Sequence, residues 1–356
     1  MREDRRPPGH DSSASTWDTE IPAAPGMGLG SSEVSTAPRI FDCFSFNDEL
    51  LLLEFRFRLL DSVVDRFVLV EADTNRQGKP KELHFLKNRD RYQPWLSRIS
   101  HVVVRDIPPA ADPWASEEFQ RQAIPRGLEG AESSDIALVS DVDEIPNPAT
   151  VSELRGMTLE NPVGLRVRTT YFCVDLQNPH QQGQIPKACR IGYLADPQAL
   201  RVEEVTQTLP DAGWHLAWLS REIEPAQKLE AFTPHTELDR PWFKSPQHAR
   251  RCRDLGVDLF GRFLLYPVPW DELGEPIREF ASANPWLIHG PRGPWHTFLA
   301  RCYMTNIWGA RFLPLWLVER HPIAAFPVAA TLRAVTFPLR GARRAAARRT
   351  RRAAQG

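Results

Sequence analysis

Ser134-Asp135-Ile136-Ala137-Leu138-Val139-Ser140-Asp141-Val142-Asp143-Glu144-Ile145-Pro146 runs from a short apolar segment straight into a dense acidic turn. Ile136 to Val139 has the length and composition of a strand buried on both faces. Three carboxylates follow within four residues: Asp141, Asp143 and Glu144. Pro146 cannot continue a ladder, and Asn147-Pro148 opens a turn. Asp141 and Asp143 are two apart, so extended backbone sends both carboxylates to one side of the chain. Carboxylates converging at a sheet's end repel unless a cation lies between them, and a hard divalent metal is their natural partner. Such a metal keeps open positions that suit the oxygens of a diphosphate. Asp-X-Asp alone is also common at solvated loop ends. The buried strand before it, the proline stop after it and the lack of a nearby basic residue favour metal–phosphate chemistry here.

Upstream, Ile40 to Phe46 alternates well enough for a first strand. Asn47 can cap the next helix, Asp48 and Glu49 suit its positive end, and Leu50, Leu53, Phe57 and Leu60 give it one apolar face. Arg66 to Val70 is a second buried strand ending in Glu71. Strand, helix and strand in about thirty residues predict a right-handed βαβ unit with a parallel sheet. After the polar loop Asp73 to Pro80, a third strand is expected at Ile99 to Val104. A helix is expected from Pro113 to Gly127, and the fourth strand is the one that ends in the acidic turn. Ligands of open α/β sheets sit beyond the carboxyl ends of the strands. Glu71, Asp106, Asp141 and Asp143 all fall there, consistent with one nucleotide- or phosphate-handling cleft. Lys79, beside Gly78, is within reach of a diphosphate, though loop lysines are usually just solvated. Arg121 either bridges Glu117 at i,i+4 or contacts a phosphate or carboxylate.

With 356 residues, 42% apolar and 25% charged, the chain has the composition of a soluble globular protein with ample core. Its five cysteines show no CxxC spacing and read as reduced, mostly buried thiols. No secretory signal follows Met1, and no run reaches transmembrane length, so a cytoplasmic location is expected. Residues 1–37, rich in Pro, Gly, Ser and Ala, read as a disordered arm.

Past Pro148 the pattern changes to that of an acceptor-binding half. Val163 to Phe172 is expected as one long strand carrying Arg166 and Arg168. Ile191 to Tyr193, Leu200 to Val202 and Trp214 to Trp218 read as shorter strands, and Glu224 to Phe232 and Pro246 to Leu255 as helices. Residues 291–356 form a separate extension, expected to be helical with a basic tail. Ile307 to Val318 and Ile323 to Leu339 are apolar, and seven arginines follow from Arg340 to Arg352 with no acidic residue. Such a combination suits peripheral contact with an anionic membrane, at the inner face for a cytoplasmic protein. The plainer alternative is a basic tail that binds nothing specific; no specific nucleic-acid partner is expected.

Several motifs, taken in order, resemble glycosyltransferase family 17. They are Asp42-Cys43-Phe44-Ser45-Phe46-Asn47-Asp48-Glu49-Leu50, Val64-Asp65-Arg66-Phe67-Val68, Gly78-Lys79-Pro80, and Glu117-Glu118-Phe119-Gln120-Arg121. Ser140 to Pro146, Ala212-Gly213-Trp214-His215, Lys228 to Phe232 and His235-Thr236-Glu237 extend the likeness over residues 39–290. It implies an α/β fold of GT-A type, a Rossmann-like nucleotide-sugar-binding mixed sheet flanked by helices, over residues 38–290. It further implies UDP-GlcNAc as donor, a glycan acceptor joined through a β-1,4 linkage, inversion at the anomeric carbon, and Mn²⁺ or Mg²⁺. In that scheme Asp143 ligates the metal and Asp141 contacts ribose or metal-bound water. His215 is either a hydrogen-bonded core histidine or a third metal or phosphate contact.

Inversion requires a carboxylate across the cleft to take the acceptor's proton, and the metal-holding turn is unsuited to that. The acceptor half offers Asp175, Asp211, Glu230, Glu237 and Asp239. Glu237 is favoured, then Asp175, then Asp211. Two other classes compete: an aspartate-nucleophile phosphotransferase, and a non-catalytic module binding carbohydrate or Ca²⁺ through the same carboxylates. The first normally wants Thr or Val where Ile145 stands.

Overall fold

The computed structural model describes residues 37–75, 78–108, 113–180, 186–219, 243 and 245–309. Ile40–Phe46 (β1), Leu50–Leu60 (α1) and Arg66–Ala72 (β2) form the expected unit, with β1 and β2 parallel. Ile99–Val104 (β3) pairs parallel with β2, and Ile136–Asp141 (β4) pairs parallel with β1. Lys187–Arg190 (β9) runs antiparallel to β4 and is followed in the sheet by Val163–Leu165 (β6) and Gln207–Leu209 (β10). Among the described residues this seven-stranded sheet has the order β10-β6-β9-β4-β1-β2-β3. A second sheet, of five strands, contains Tyr266–Pro267 (β12), Leu176–Gln177 (β8), Arg168–Tyr171 (β7), Gly213–Ala217 (β11) and Glu144–Pro146 (β5). The fold is mixed α/β, with helices packed on mixed sheets.

Strand periodicity decides which residues meet. Ile40, Phe44, Phe46, Ile136 and Leu138 face the side where α1 packs Leu53, Phe57 and Leu60. Phe41, Cys43, Ala137 and Val139 face the opposite side, against Ala123, Ile124 and Leu200. By the same alternation Asp42 and Ser140 face α1, whereas Ser45 and Asp141 face away from it. Only Val142 and Asp143 separate β4 from β5, so the acidic turn is the joint at which the chain passes between sheets.

The second half departs from the expected elements. The long strand over residues 163–172 splits, β6 going to the first sheet and β7 to the second. Leu200 to Val202 lies in a helix, Pro197–Val202 (α5), and Ile191–Tyr193 is a 3₁₀ turn. Asp196 explains the first change: its carboxylate accepts the N–H groups of Gln198 and Ala199, with Pro197 preset in the first turn. Pro113–Gln122 (α3) stops short and continues as a 3₁₀ turn, Ile124–Gly127, where Pro125 lacks a donor. Pro246–Leu255 is helical as expected, while the expected helix at residues 224–232 lies outside the described residues.

A helix over Pro294–Gly309 places Ala300, Tyr303 and Ile307 in the second sheet's core with Cys173, Phe243 and Cys252, so this part of the extension belongs to the folded body. The five cysteines are free thiols, four of them buried.

His248 is enclosed in the same core. Its Nε2–H donates to the Leu259 carbonyl at 2.8 Å and its Nδ1 accepts the Tyr303 hydroxyl at 3.0 Å. Burial lowers its pKa to about 4. A histidine buried neutral binds fewer protons than its unfolded counterpart between that value and its ordinary one. Its stabilising contribution is therefore complete above the ordinary histidine pKa and declines as pH falls toward 4. Urea unfolding should show a loss of about 3 kcal/mol over that interval attributable to this site. His248→Gln should be less stable at pH 7 but have a flatter profile; an equally steep profile would exclude His248 as its origin.

Candidate active site

The acidic turn is organised from both sides by arginines. On the α1 side, Arg56 lies on an otherwise apolar face and is fully buried, as is Asp42. Arg56 Nε and Nη2 donate to Asp42 Oδ2 and Oδ1 at 2.7 and 2.5 Å. Nη2 also donates to Ser140 Oγ at 2.7 Å, and the ring of Phe44 lies 4.4 Å below the guanidinium. Nη1 reaches the turn's own backbone, donating to the carbonyls of Asp141, Val142 and Glu144 at 3.0, 3.3 and 2.9 Å. One side chain thus donates to three carbonyls of the turn at once. A rigid planar fork with five N–H groups can do this; an ammonium cannot.

On the other side stands Asp141. Its Oδ1 accepts Ser45 Oγ and Arg121 Nη2, both at 2.9 Å, and its Oδ2 accepts Arg201 Nη2 at 3.3 Å. Burial works against its charge, but the two guanidiniums outweigh it and hold the carboxyl far below the usual carboxylate range. Arg201, from α5, also donates to Glu144 Oε1 at 2.5 Å, while Glu144 Oε2 accepts the Asp141 N–H at 3.0 Å. Arg121, from α3, further donates to Glu117 at 3.0 Å and bonds Gln198. Burial lowers the pKa of both arginines, yet the facing carboxylates more than offset it and keep them charged.

Asp143 is at the tip of the turn. Its carbonyl accepts the Leu216 N–H at 2.8 Å, which brings β11 alongside, and its carboxylate lies 3.6 Å from His215 Nε2. Burial lowers the His215 pKa, but Asp143, Glu144 and Asp141 together raise it above its ordinary value. Gly213 makes this approach feasible. At φ +148° it sits where an added Cβ would meet the Ile145 carbonyl oxygen and come within 2.7 Å of Pro146 Cα.

The turn therefore brings together Asp141, Asp143, Arg121 and His215 of the residues singled out in the sequence. Glu71 takes a different place from the one expected. Its carboxylate is wholly enclosed, accepting the Phe85 N–H and facing His101 Nε2, both at 3.1 Å, with Lys81 Nζ 3.9 Å away. Lys79 is exposed in a turn closed by Asn75, and Asp106 pairs on the surface with Arg126. Asp175 is nearly buried, its two oxygens accepting the N–H groups of His289 and Gly290 at 2.8 Å each, which fastens that loop. Asp211 is exposed in the turn before β11, at φ +44°. Glu230, His235, Glu237 and Asp239 lie outside the described residues.

Three participants escape the sequence reading: Arg56, Arg201 and Ser45. Arg56 left a signal, a lone guanidinium on an apolar helical face that follows a strand containing a lone carboxylate. Arg201 left none, because its segment resembles a strand.

These features define a mixed α/β protein with an arginine-braced acidic turn at the carboxyl ends of parallel strands. Residues 28–267 match the model of glycosyltransferase family 17, and the chain belongs to that family. It is similar to the β-1,4-mannosyl-glycoprotein 4-β-N-acetylglucosaminyltransferases of Rattus norvegicus and Homo sapiens. Each is 27% identical over 116 residues, 30% of this chain and 22% of the relative's length. The match thus spans about a fifth of those proteins. Among solved structures, HddC from Yersinia pseudotuberculosis overlaps 51% of this chain and 92% of its own, at 9% identity and a TM-score of 0.30.

Removing Arg56 leaves a buried carboxylate and three carbonyls without their donor. Arg56→Met should cost about 3–5 kcal/mol in urea unfolding. Adding Asp42→Leu should recover part of that loss, because the uncompensated charge goes with it. A double variant no more stable than Arg56→Met would show that the Asp42 charge is not what Arg56 compensates.

Proposed function

We propose that this chain is a metal-dependent inverting glycosyltransferase of GT-A type that takes N-acetylglucosamine from UDP-GlcNAc and adds it, through a β-1,4 linkage, to a glycan acceptor. The observation that carries the reading is the braced turn, whose rigid placement of Asp143 beside His215 occurs within the family-matched segment. The donor sugar and linkage follow the names of the relatives. Binding of a diphosphate agrees with the arginines: Arg121 Nε and Arg201 Nε and Nη1 are buried donors without a hydrogen-bond partner among the described residues, and an anion beside them would supply acceptors.

Asp143 and His215 fit a divalent cation in chemical type, a hard carboxylate oxygen and an imidazole nitrogen. Among the described residues no three His, Cys, Asp or Glu side chains gather into a metal site, so the donor's own oxygens would complete the coordination. When bound, Mn²⁺ or Mg²⁺ supplies Lewis-acid stabilisation of the departing diphosphate. Asp141, with both oxygens engaged by Ser45 and two arginines, is better suited to holding the turn than to ligating the ion.

In the transfer, the acceptor hydroxyl oxygen bonds to the anomeric carbon and the bond to the diphosphate oxygen breaks, its electron pair leaving with UDP. The hydroxyl proton passes to a carboxylate. Asp175 is committed to two backbone N–H groups and Asp211 to an exposed turn; of the remaining Glu230, Glu237 and Asp239, we assign the base to Glu237, which stands next but one to His235 in the family-like stretch within the matched residues.

The test is nucleotide release from a panel of UDP- and GDP-sugars in the presence of oligosaccharide acceptors. UDP-GlcNAc should be preferred, and Asp143→Asn should abolish most turnover while the protein stays folded; wild-type turnover in that variant would remove Asp143 from the site. Glu237→Gln should lower kcat by about 10²–10⁴ with UDP affinity unchanged. An unchanged kcat, or loss of UDP binding, would assign the base elsewhere.

A further inference from the structure

Asp258 is fully buried beneath a short loop that the core fixes at several points. Val257 and Leu264 bridge antiparallel at the base of the loop, and the Asp258 N–H donates to the Phe263 carbonyl at 3.1 Å. The Asp258 carboxylate accepts the N–H groups of Phe260 and Arg262, both at 3.1 Å. It also accepts Arg262 Nε at 2.8 Å and Nη2 at 2.7 Å, a two-pronged pair. His248 holds the Leu259 carbonyl from below. Gly261, at φ +65°, rests where an added Cβ would fall 2.8 Å from Ile307 Cγ2. A loop tied down in this way displays its outward groups in one geometry. Those groups are the rings of Phe260 and Phe263, both half-buried, and the Arg262 guanidinium between them. The guanidinium lies 4.9 and 5.2 Å from the two ring centroids, and the Arg262 side chain is 51% exposed.

This platform adjoins the acidic turn. In the register of β11 with β7, His215 stands opposite Thr169 and Ala217 opposite Tyr171, so Tyr171 and His215 share a sheet face. The Tyr171 ring lies 5.9 Å from that of Phe263. Burial raises the Tyr171 pKa, Asp258 and Asp143 add to the rise, and Arg262 opposes it; the platform and the tip of the turn are thus both near its hydroxyl. Just past the paired ends of β7 and β11, Phe172 and Trp218 hold φ values of +64° and +60°, which bulky residues rarely adopt. The Trp218 ring meets that of Phe260 with centroids 6.5 Å apart. Backbone strain of this sort gathers at ligand sites, where the surrounding structure over-determines it.

Two aromatic faces beside a planar donor fork suit the C–H face and hydroxyl rim of a sugar ring. Asp258 already neutralises Arg262, so an uncharged sugar fits better than an anionic one. The half-open setting suits a chain of sugars that runs on into solvent. We propose that the loop from Asp258 to Phe263 is the acceptor subsite, where Phe260 and Phe263 stack on an uncharged sugar unit of the glycan and Arg262 donates to its hydroxyls. This rests on the glycosyl-transfer reading, but its test needs no transfer. The experiment is isothermal titration calorimetry of the full chain with β-1,4-mannotriose and with triacetylchitotriose, in the presence of UDP and Mn²⁺. Wild type should bind at least one of them. Phe260→Leu/Phe263→Leu, which keeps the bulk but loses the flat faces, should bind it about tenfold more weakly and show an acceptor KM raised about tenfold. UDP affinity and melting temperature should not change. Arg262→Lys keeps a cation on Asp258 but loses the fork, and should weaken binding by a similar factor. Phe263→Tyr should bind like wild type. Binding of neither oligosaccharide by wild type, wild-type affinity in the double leucine variant, or a loss of UDP affinity in its place would overturn the proposal. So would tighter, salt-sensitive binding of a galacturonate trimer, which would make this an anion site. Leucine-sensitive oligosaccharide binding without any UDP-GlcNAc turnover would count against the transfer reaction and not against the sugar subsite.

Discussion

The ion pair between Asp42 and Arg56 is the constraint on which the rest depends. Both side chains are withdrawn from water, which is expensive for each alone. The pair is tolerable because every N–H of the guanidinium finds an acceptor, and half of those acceptors are carbonyls of the acidic turn. The burial that makes Arg56 costly to lose therefore fixes where β4 ends and β5 begins. A loop braced only by water would not hold that position.

The same economy governs the opposite face. Asp141, Asp143 and Glu144 are adjacent in sequence, yet the fold gives them separate work. Arg121 and Arg201 neutralise Asp141 and Glu144 within the protein, so the local repulsion that the sequence implies is largely cancelled by groups distant in the chain. Asp143 is carried to the tip of the turn and placed beside His215 by the pairing of β11 with β5, a pairing that depends on Gly213 having no side chain.

Much of the first sheet was legible because its strands are continuous apolar runs punctuated by polar turns, and Leu53, Phe57 and Leu60 of α1 recur at helical spacing, although Leu52 and Phe55 bury a second face of that helix in another cluster. The second half was less so. Val163 to Phe172 alternates like one strand, but nothing local reveals that its two ends belong to different sheets. Leu200 to Val202 looks extended until Asp196 and Pro197 are recognised as a helix start. In the site, Asp141, Asp143, Arg121 and His215 were legible from the motif and its context. Glu71 misled because a carboxylate at a strand end can equally be an internal acceptor, here for Phe85 and His101. Arg201 could not be foreseen, since its partners lie about sixty residues upstream and depend on the sheet order.

The fold engages both Asp141 oxygens within the protein, and under the proposed function Asp143 is the aspartate left to meet the ion. Titration of Mn²⁺ in the presence of UDP, followed by the electron-spin resonance of the free ion, tests it directly. Asp143→Asn should lose Mn²⁺ binding at full fold stability, whereas Asp141→Asn should still bind the ion but unfold at lower urea. Retained Mn²⁺ affinity in Asp143→Asn together with its loss in a fully stable Asp141→Asn would contradict it.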